Sequence, residues 1–137
     1  MIIGVVPIVI IVSLPYLLTW DFQVTFWKMH QILSSVSEEE LINRTKDLPE
    51  VKAYLALYPN PVMSIDKDFH IGVDYSSTFC LHDEKYCDAS KAVRAELMVR
   101  MNLDTGYPQN SAWGCNGSLT IFPLSDPVLI DEVKNGC

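Results

Sequence analysis

Histidine and glycine are scarce in this chain of 137 residues, which has three histidines and six glycines. Three dispersed histidines are too few to build a copper centre from this chain alone, because imidazole is the commonest protein ligand for such metals. The glycines form no phosphate-binding loop. The chain also lacks a Gly-x-Ser-x-Gly turn and the metalloprotease helix motif. These absences argue against the common hydrolase and nucleotide-binding classes, and we expect no catalytic residue and no cofactor.

Basic side chains are also fewer than acidic ones. Ten basic side chains face 17 acidic ones, which leaves a net charge of −7. The whole excess lies in residues 37–137, which carry 16 acids and 9 bases. An acidic domain is repelled by nucleic acid and by anionic lipid headgroups, so we do not expect nucleic-acid binding.

Charge is absent from the segment Ile2 to Trp20. A run of 18 or more uncharged apolar residues is long enough to cross the roughly 30 Å core of a bilayer. A buried helix of a soluble protein would show a polar face, and a cleaved signal would show a basic start and a small-residue site in place of the bulky Thr19 to Phe22. We predict a membrane span, in which Pro7 and Pro15 favour contact with neighbouring protein helices.

The acidic domain after the span is predicted to lie outside the cytoplasm, because acidic segments translocate without hindrance. The localisation predicted is therefore a single-pass protein of the cell membrane. Two tripeptides that begin at Asn43 and Asn116 match the N-glycosylation pattern, which matters only in an extracytoplasmic space.

All four cysteines follow the span, which predicts disulfides in an oxidising compartment. Four cysteines allow three connectivities. We favour Cys80 with Cys87, around a short polar loop, and Cys115 with Cys137, which would tie down the C-terminus. Six residues separate Cys80 from Cys87 and not the two of thioredoxin-like pairs, which weakens a thiol-redox function.

An apolar stripe continues beyond the span at helical spacing. The stripe predicts a partner contact, with packing against the chain's own domain or against the membrane interface as the alternatives. Tyr16, Trp20 and Trp27 are predicted near the headgroups. The stripe comprises Phe22, Phe26, Met29, Leu33 and Val36.

Local signals predict the elements of the domain. Ser37 begins a capping box for one helix, Pro49 suits the first turn of a second, and Asp126 with Pro127 caps a last helix that ends before Gly136. A hairpin of two strands, Val62 to Ile65 and Phe69 to Tyr75, is predicted between them.

Residues 93–103 alternate apolar and polar side chains, which predicts a long strand, with a helix as the alternative. We predict loops at Phe79 to Ser90 and at Asp104 to Gly117, and a fourth strand at Leu119 to Phe122. The fold predicted is α+β: a transmembrane helix with its helical extension in residues 1–36, then an extracytoplasmic domain of antiparallel strands and flanking helices in residues 37–137.

Two segments carry a resemblance to a known group. Residues Leu48 to Asn60, which include the run from Val51 to Pro59, and Ser64 to Ile71 resemble small exported proteins of ammonia-oxidising archaea. The segments are similar, more loosely, to the start of PepSY-type domains. The resemblance covers about a quarter of the chain. It implies an accessory subunit of the archaeal ammonia monooxygenase, a copper-dependent membrane enzyme.

The metal candidates are weak. His82 lies in the only dense cluster of potential ligands, between Cys80 and Cys87, and His70 with Asp74 shares a predicted strand face. The sequence therefore predicts a non-catalytic single-span subunit that stabilises a larger membrane complex by contact with its integral subunits. A membrane-tethered module that binds a ligand or a metal is the alternative.

Overall fold

A computed structural model of the chain describes residues 21–68, 70–80 and 90–137. These residues form an α+β domain with four helices and one five-stranded antiparallel sheet, which confirms the predicted fold class for this part of the chain. Helix α1 covers residues 21–35. The other elements are α2 (Glu38–Thr45), α3 (Pro49–Leu57), β1 (Val62–Asp66), β2 (Gly72–Cys80), β3 (Ala92–Met101), β4 (Pro108–Cys115), β5 (Ser118–Pro123) and α4 (Pro127–Asn135).

The predicted membrane span, Ile2 to Trp20, lies outside the described residues. Within 21–68, 70–80 and 90–137, no helix is both long and apolar enough to cross a bilayer.

The helix boundaries follow the predicted capping residues. The Ser37 hydroxyl accepts a hydrogen bond from the Glu40 backbone amide (3.2 Å) and so begins α2. Asp126 caps α4 in the same way, with its carboxylate accepting from the Val128 amide (2.8 Å). Gly136 ends α4 at a φ of 71°, a conformation that glycine adopts without strain. These two helix starts and this helix end are set by residues within three positions of the boundary.

The sheet is a simple meander in which consecutive strands are neighbours, in the order β1-β2-β3-β4-β5. Strand β3 is its central strand, which confirms the strand predicted from the period-two pattern and rules out the helical alternative. One face of β3 is buried by its apolar side chains, as the alternation predicts. These are Ala95, Leu97, Val99 and Met101.

Two predicted boundaries are wrong. The segment predicted as loop, Asp104 to Gly117, contains strand β4, so Leu119 to Phe122 belongs to a fifth strand and not a fourth. Asn116 and Gly117 join β4 to β5 with φ of 54° and 82°, the positive angles of a two-residue hairpin turn. Strand β2 runs from Gly72 to Cys80 and not from Phe69 to Tyr75, because it stays paired with β3 as far as Cys80 opposite Ala92. Phe79 and Cys80 therefore belong to a strand and not to the predicted loop.

All four described helices contribute side chains to one core, which covers a single face of the sheet. An aromatic cluster lies at its centre: the Tyr54 ring is 6.2 Å from that of Tyr75 and 6.0 Å from that of Trp113. The Tyr54 hydroxyl donates to the carbonyl oxygen of Ala95 (3.1 Å), and burial raises the pKa of Tyr54 to about 12. Full burial of side chains of this size stabilises a fold by roughly 1.5–3 kcal/mol each.

The disulfide predicted between Cys115 and Cys137 is confirmed, with a Cα–Cα distance of 5.8 Å. It joins the end of β4 to the residue that follows α4. Cys80 is also disulfide-bonded, and none of the described cysteines is free. Its predicted partner, Cys87, lies outside the described residues.

Candidate functional site

The apolar stripe of α1 divides into two parts. Met29 is 5% exposed, and Leu33 and Val36 are half-buried against the core of the domain. Phe22 and Phe26, in contrast, are 61% and 65% exposed. The second half of the predicted contact stripe therefore packs on the chain's own domain, and only the first half is left to meet another molecule.

Contacts along its second half hold α1 on the domain. Ile32, one helical turn after Met29, is 8% exposed and belongs to the core cluster. Lys28 pairs with Asp104 in the loop between β3 and β4 (2.5 Å). These contacts fix the direction in which the first two turns of the helix leave the domain.

The first two turns of α1 carry a continuous exposed apolar surface. Two shallow grooves flank the ridge of Phe22 and Phe26. The first, of about 290 Å³, is bounded by Met29 and Asp68, and the second, of about 320 Å³, by Trp27 and His30. The α1 apolar surface, as it is called below, consists of Phe22, Phe26 and Trp27, which line the second groove together.

A polar depression of about 440 Å³ lies between α1, α2 and the loop after β3. Arg44 is the one basic side chain among the described residues that line it, and its guanidinium already makes contacts within the domain. It donates to the Gly106 carbonyl (2.7 Å), pairs with Glu40 (3.2 Å) and lies 4.5 Å above the Tyr107 ring. These contacts join α2 to the loop.

His70, a metal candidate predicted to share a strand face with Asp74, contacts two other side chains. His70 Nε2 lies 3.2 Å from Asp66 Oδ2 and 3.3 Å from Met98 Sδ, while Asp74 lies 4.0 Å from Arg94. His82 lies outside the described residues. Among the residues that are described, no three His, Cys, Asp or Glu side chains form a cluster that could hold a metal ion.

The face of the sheet opposite the four described helices is the outer face, and it holds a half-buried acidic pair. Asp74 and Glu96 side chains are 15% and 11% exposed, and Arg94 lies 2.7 Å from Glu96 and 4.0 Å from Asp74. Burial raises the pKa of Asp74 above its ordinary value, repulsion from Glu96 and Asp66 raises it further, and Arg94 opposes the change. The ionised form of Asp74 is therefore a local cost to folding.

We expect Asp74→Asn to raise the free energy of unfolding at pH 7. A carboxyl whose pKa is raised in the folded state destabilises the fold above that pKa, and the penalty disappears as pH falls towards the unfolded value. The increase in the free energy of unfolding that the substitution gives should therefore become smaller as pH falls. Chemical denaturation of both proteins between pH 7 and pH 4 measures this, with Asp131→Asn on exposed α4 as the control. A gain that grows as pH falls would contradict the expectation.

Glu50 is a buried polar residue that the sequence did not reveal. Its side chain is fully buried, and Oε1 accepts from the Ser111 hydroxyl (2.8 Å) and the Ser125 backbone amide (3.2 Å). Oε2 is buried with no hydrogen-bond partner among the described residues. A glutamate in the first turn after a proline is typical of an exposed helix start, so no local signal marks its burial.

The two predicted glycosylation sites differ in access. Asn43 is exposed on α2, but the hydroxyl of its sequon partner Thr45 is buried and bonded to the Ile42 carbonyl (2.8 Å). Asn116 lies in the exposed β4–β5 turn, where its side-chain oxygen accepts from the Arg94 amide (2.9 Å). Of the two, only the sequon at Asn116 is exposed at both ends in the folded domain.

Comparison with known proteins finds no matching family model, no matching curated protein and no matching solved structure. The resemblance to small exported archaeal proteins stays a prediction from the sequence. Functional inference therefore depends on the α1 apolar surface, the outer face of the sheet and the segment before residue 21.

Proposed function

We propose that this chain is a non-catalytic accessory subunit of a larger membrane complex. Residues Ile2 to Trp20 anchor it in the bilayer, the α1 apolar surface binds an integral subunit of that complex, and the sheet domain covers the complex outside the cytoplasm. The resemblance described above makes the archaeal ammonia monooxygenase the first complex to examine.

The α1 apolar surface is the observation that carries the proposal. Single exposed apolar residues are normal on soluble domains, but adjacent ones that form a continuous patch are typical of interaction sites. Phe22, Phe26 and Trp27 are each at least 59% exposed and lie within two turns of one helix. The patch begins directly after the predicted span, so a partner that contacts it would also lie at the membrane.

A protein partner explains the patch better than lipid headgroups alone. Phe22 and Phe26 form a ridge with a groove on each side, and aromatic side chains in such settings are common anchors of protein interfaces. Pro7 and Pro15 in the predicted span favour neighbouring helices that satisfy the freed backbone carbonyls. Both features support a helix that is surrounded by protein on more than one side.

The domain supports a covering function through its packing. Met29 and Ile32 pack in the core and hold the helix on the domain. The Cys115–Cys137 disulfide links the C-terminal residue covalently to the end of strand β4. A binding helix that is held rigidly loses less conformational entropy on association than a flexible one. The domain therefore holds the α1 apolar surface in a fixed position for binding.

Purification of the tagged full-length chain from native membranes in mild detergent tests the proposal. We expect a particle much larger than the 15.5 kDa monomer, with integral membrane proteins in stoichiometric amounts. In the double variant Phe22→Ser, Phe26→Ser, recovery of these partners should fall at least about tenfold, because burial of each ring contributes roughly 1.5–3 kcal/mol.

Val62 and Val128 provide the matched control, because they are similarly exposed (70% and 59%) but lie on β1 and α4. The variant Val62→Ser, Val128→Ser should retain the partners. A monomer without partners would refute the accessory function. Equal recovery with both double variants would refute the α1 apolar surface as the contact.

A further inference from the structure

Three side chains of different chemistry meet at the start of strand β2. His70 Nε2 lies 3.2 Å from Asp66 Oδ2 and 3.3 Å from Met98 Sδ. The histidine precedes β2, the aspartate ends β1 and the methionine lies on β3, so the group joins three consecutive strands of the sheet. None of these three side chains lines the grooves beside the α1 apolar surface, although Asp68 adjoins both the first groove and Asp66, and the group does not depend on the function proposed for that surface.

Gly72 makes this meeting possible. It lies on β2 between Asp66 of β1 and Arg100 of β3. A Cβ atom at position 72 would lie 3.3 Å from Met98 Cγ and 3.5 Å from both Met98 Sδ and His70 Cδ2. Because glycine has no side chain, the imidazole reaches across β2 to the thioether of Met98.

The Asp66 carboxylate is oriented before any ligand binds. Its Oδ1 accepts a hydrogen bond from the Asp68 backbone amide (3.0 Å), which leaves Oδ2 for His70. The His70 and Asp66 side chains are 30% and 27% exposed, so an ion can enter from solvent. A donor set that is held in place and still accessible is what a metal site requires.

The distances match the edges of a coordination polyhedron. Metal bonds to imidazole nitrogen and carboxylate oxygen are about 2.0–2.2 Å, and those to sulfur about 2.3 Å. At an angle of about 100° between bonds of these lengths, nitrogen and sulfur are separated by roughly 3.3 Å and nitrogen and oxygen by roughly 3.2 Å. The observed separations of 3.3 and 3.2 Å, both measured from His70 Nε2, are therefore those of two ligand pairs that share one ion.

We propose that His70, Met98 and Asp66 bind one copper ion, as Cu(I), at the end of the sheet where β2 begins. A neutral thioether is a soft ligand that selects Cu(I), whereas Mg²⁺ and Ca²⁺ require oxygen ligands. Imidazole is a good ligand for copper, and the Asp66 carboxylate offsets one positive charge. Zn²⁺ also accepts imidazole and carboxylate, so the Met98 thioether is the donor that favours copper.

Anaerobic titration of the full-length protein in detergent with Cu(I), against a chromophoric Cu(I) chelator, tests the site. We expect one Cu(I) per chain and a preference for Cu(I) over Zn²⁺. Met98→Leu and His70→Gln should each weaken Cu(I) binding at least about tenfold, the scale on which metal sites respond to the loss of supporting groups. X-ray absorption should show a copper–sulfur distance of about 2.3 Å that disappears in Met98→Leu.

Met63→Leu and His30→Gln are matched controls, because both residues are exposed and neither is one of the three proposed ligands. Both should bind Cu(I) as the parent protein does, as should His82→Gln. Absence of stoichiometric Cu(I) binding overturns the proposal. Parent-like affinity in either Met98→Leu or His70→Gln also overturns it, and so does a loss of binding in His82→Gln.

Discussion

Replacement of Glu50 by alanine is expected to lower the free energy of unfolding by about 3 kcal/mol. The substitution leaves the buried Ser111 hydroxyl and the partly buried Ser125 amide without the acceptor that they share. A buried donor that loses its partner costs about 1–3 kcal/mol. Ser125 has a positive φ of 57°, so the turn that leads into α4 also loses a contact that stabilises its strained backbone.

Glu50→Gln and Ser111→Ala separate the causes of this loss. Glutamine keeps an oxygen that can accept from both donors, so we expect a loss of less than about 1 kcal/mol. Ser111→Ala removes only one of the two hydrogen bonds and should give an intermediate loss. Denaturation by guanidinium, followed by near-ultraviolet circular dichroism, measures all three variants. An alanine variant as stable as the glutamine variant would show that the two hydrogen bonds contribute nothing.

Removal of the Cys115–Cys137 disulfide is the second large effect. The disulfide has a sequence separation of 22 residues, and a crosslink over a loop of that length stabilises the fold by about 3 kcal/mol, mainly by restricting the unfolded chain. We expect Cys115→Ala with Cys137→Ala to lower the melting temperature by roughly 10–15 °C. The paired substitution removes both thiols and so prevents exchange with the disulfide at Cys80.

The loss of stability without the disulfide should be largest near the C-terminus. The Cys137 amide donates to the Tyr58 hydroxyl (3.2 Å), and α4 packs against α3 through Leu129 and Val133 in the core. Without the disulfide, hydrogen exchange should accelerate first in α4, while β2 and β3 stay protected. Unchanged exchange in α4 together with an unchanged melting temperature would contradict the expectation.

Local patterns predicted the elements whose causes are local. The alternation in residues 93–103 was enough for β3, and Ser37, Pro49 and Asp126 were enough for the helix starts. Strand β4 was missed because its sequence is rich in small and polar residues and has no clear alternation. It forms a strand because β3 and β5 pair with it on both sides, and the Asn116-Gly117 turn was the signal that could have found it.

The candidate sites depended on contacts that no short window contains. His70 and Met98 are 28 residues apart and meet because β2 and β3 are paired across Gly72. Glu50 and Ser111 are 61 residues apart. The α1 stripe is likewise divided by tertiary packing: its second half is buried because it contacts the core of the domain, and its first half is exposed.

The amino-acid sequence by itself determined the α+β class, the helix caps and the central strand, because these follow from capping and side-chain alternation, whereas the cysteine count left three pairings open. Only the tertiary structure decided which carboxylate is buried, which half of the α1 stripe is exposed and which donors surround His70. Burial and donor geometry are set by strand register and helix packing, which bring together residues far apart in the chain.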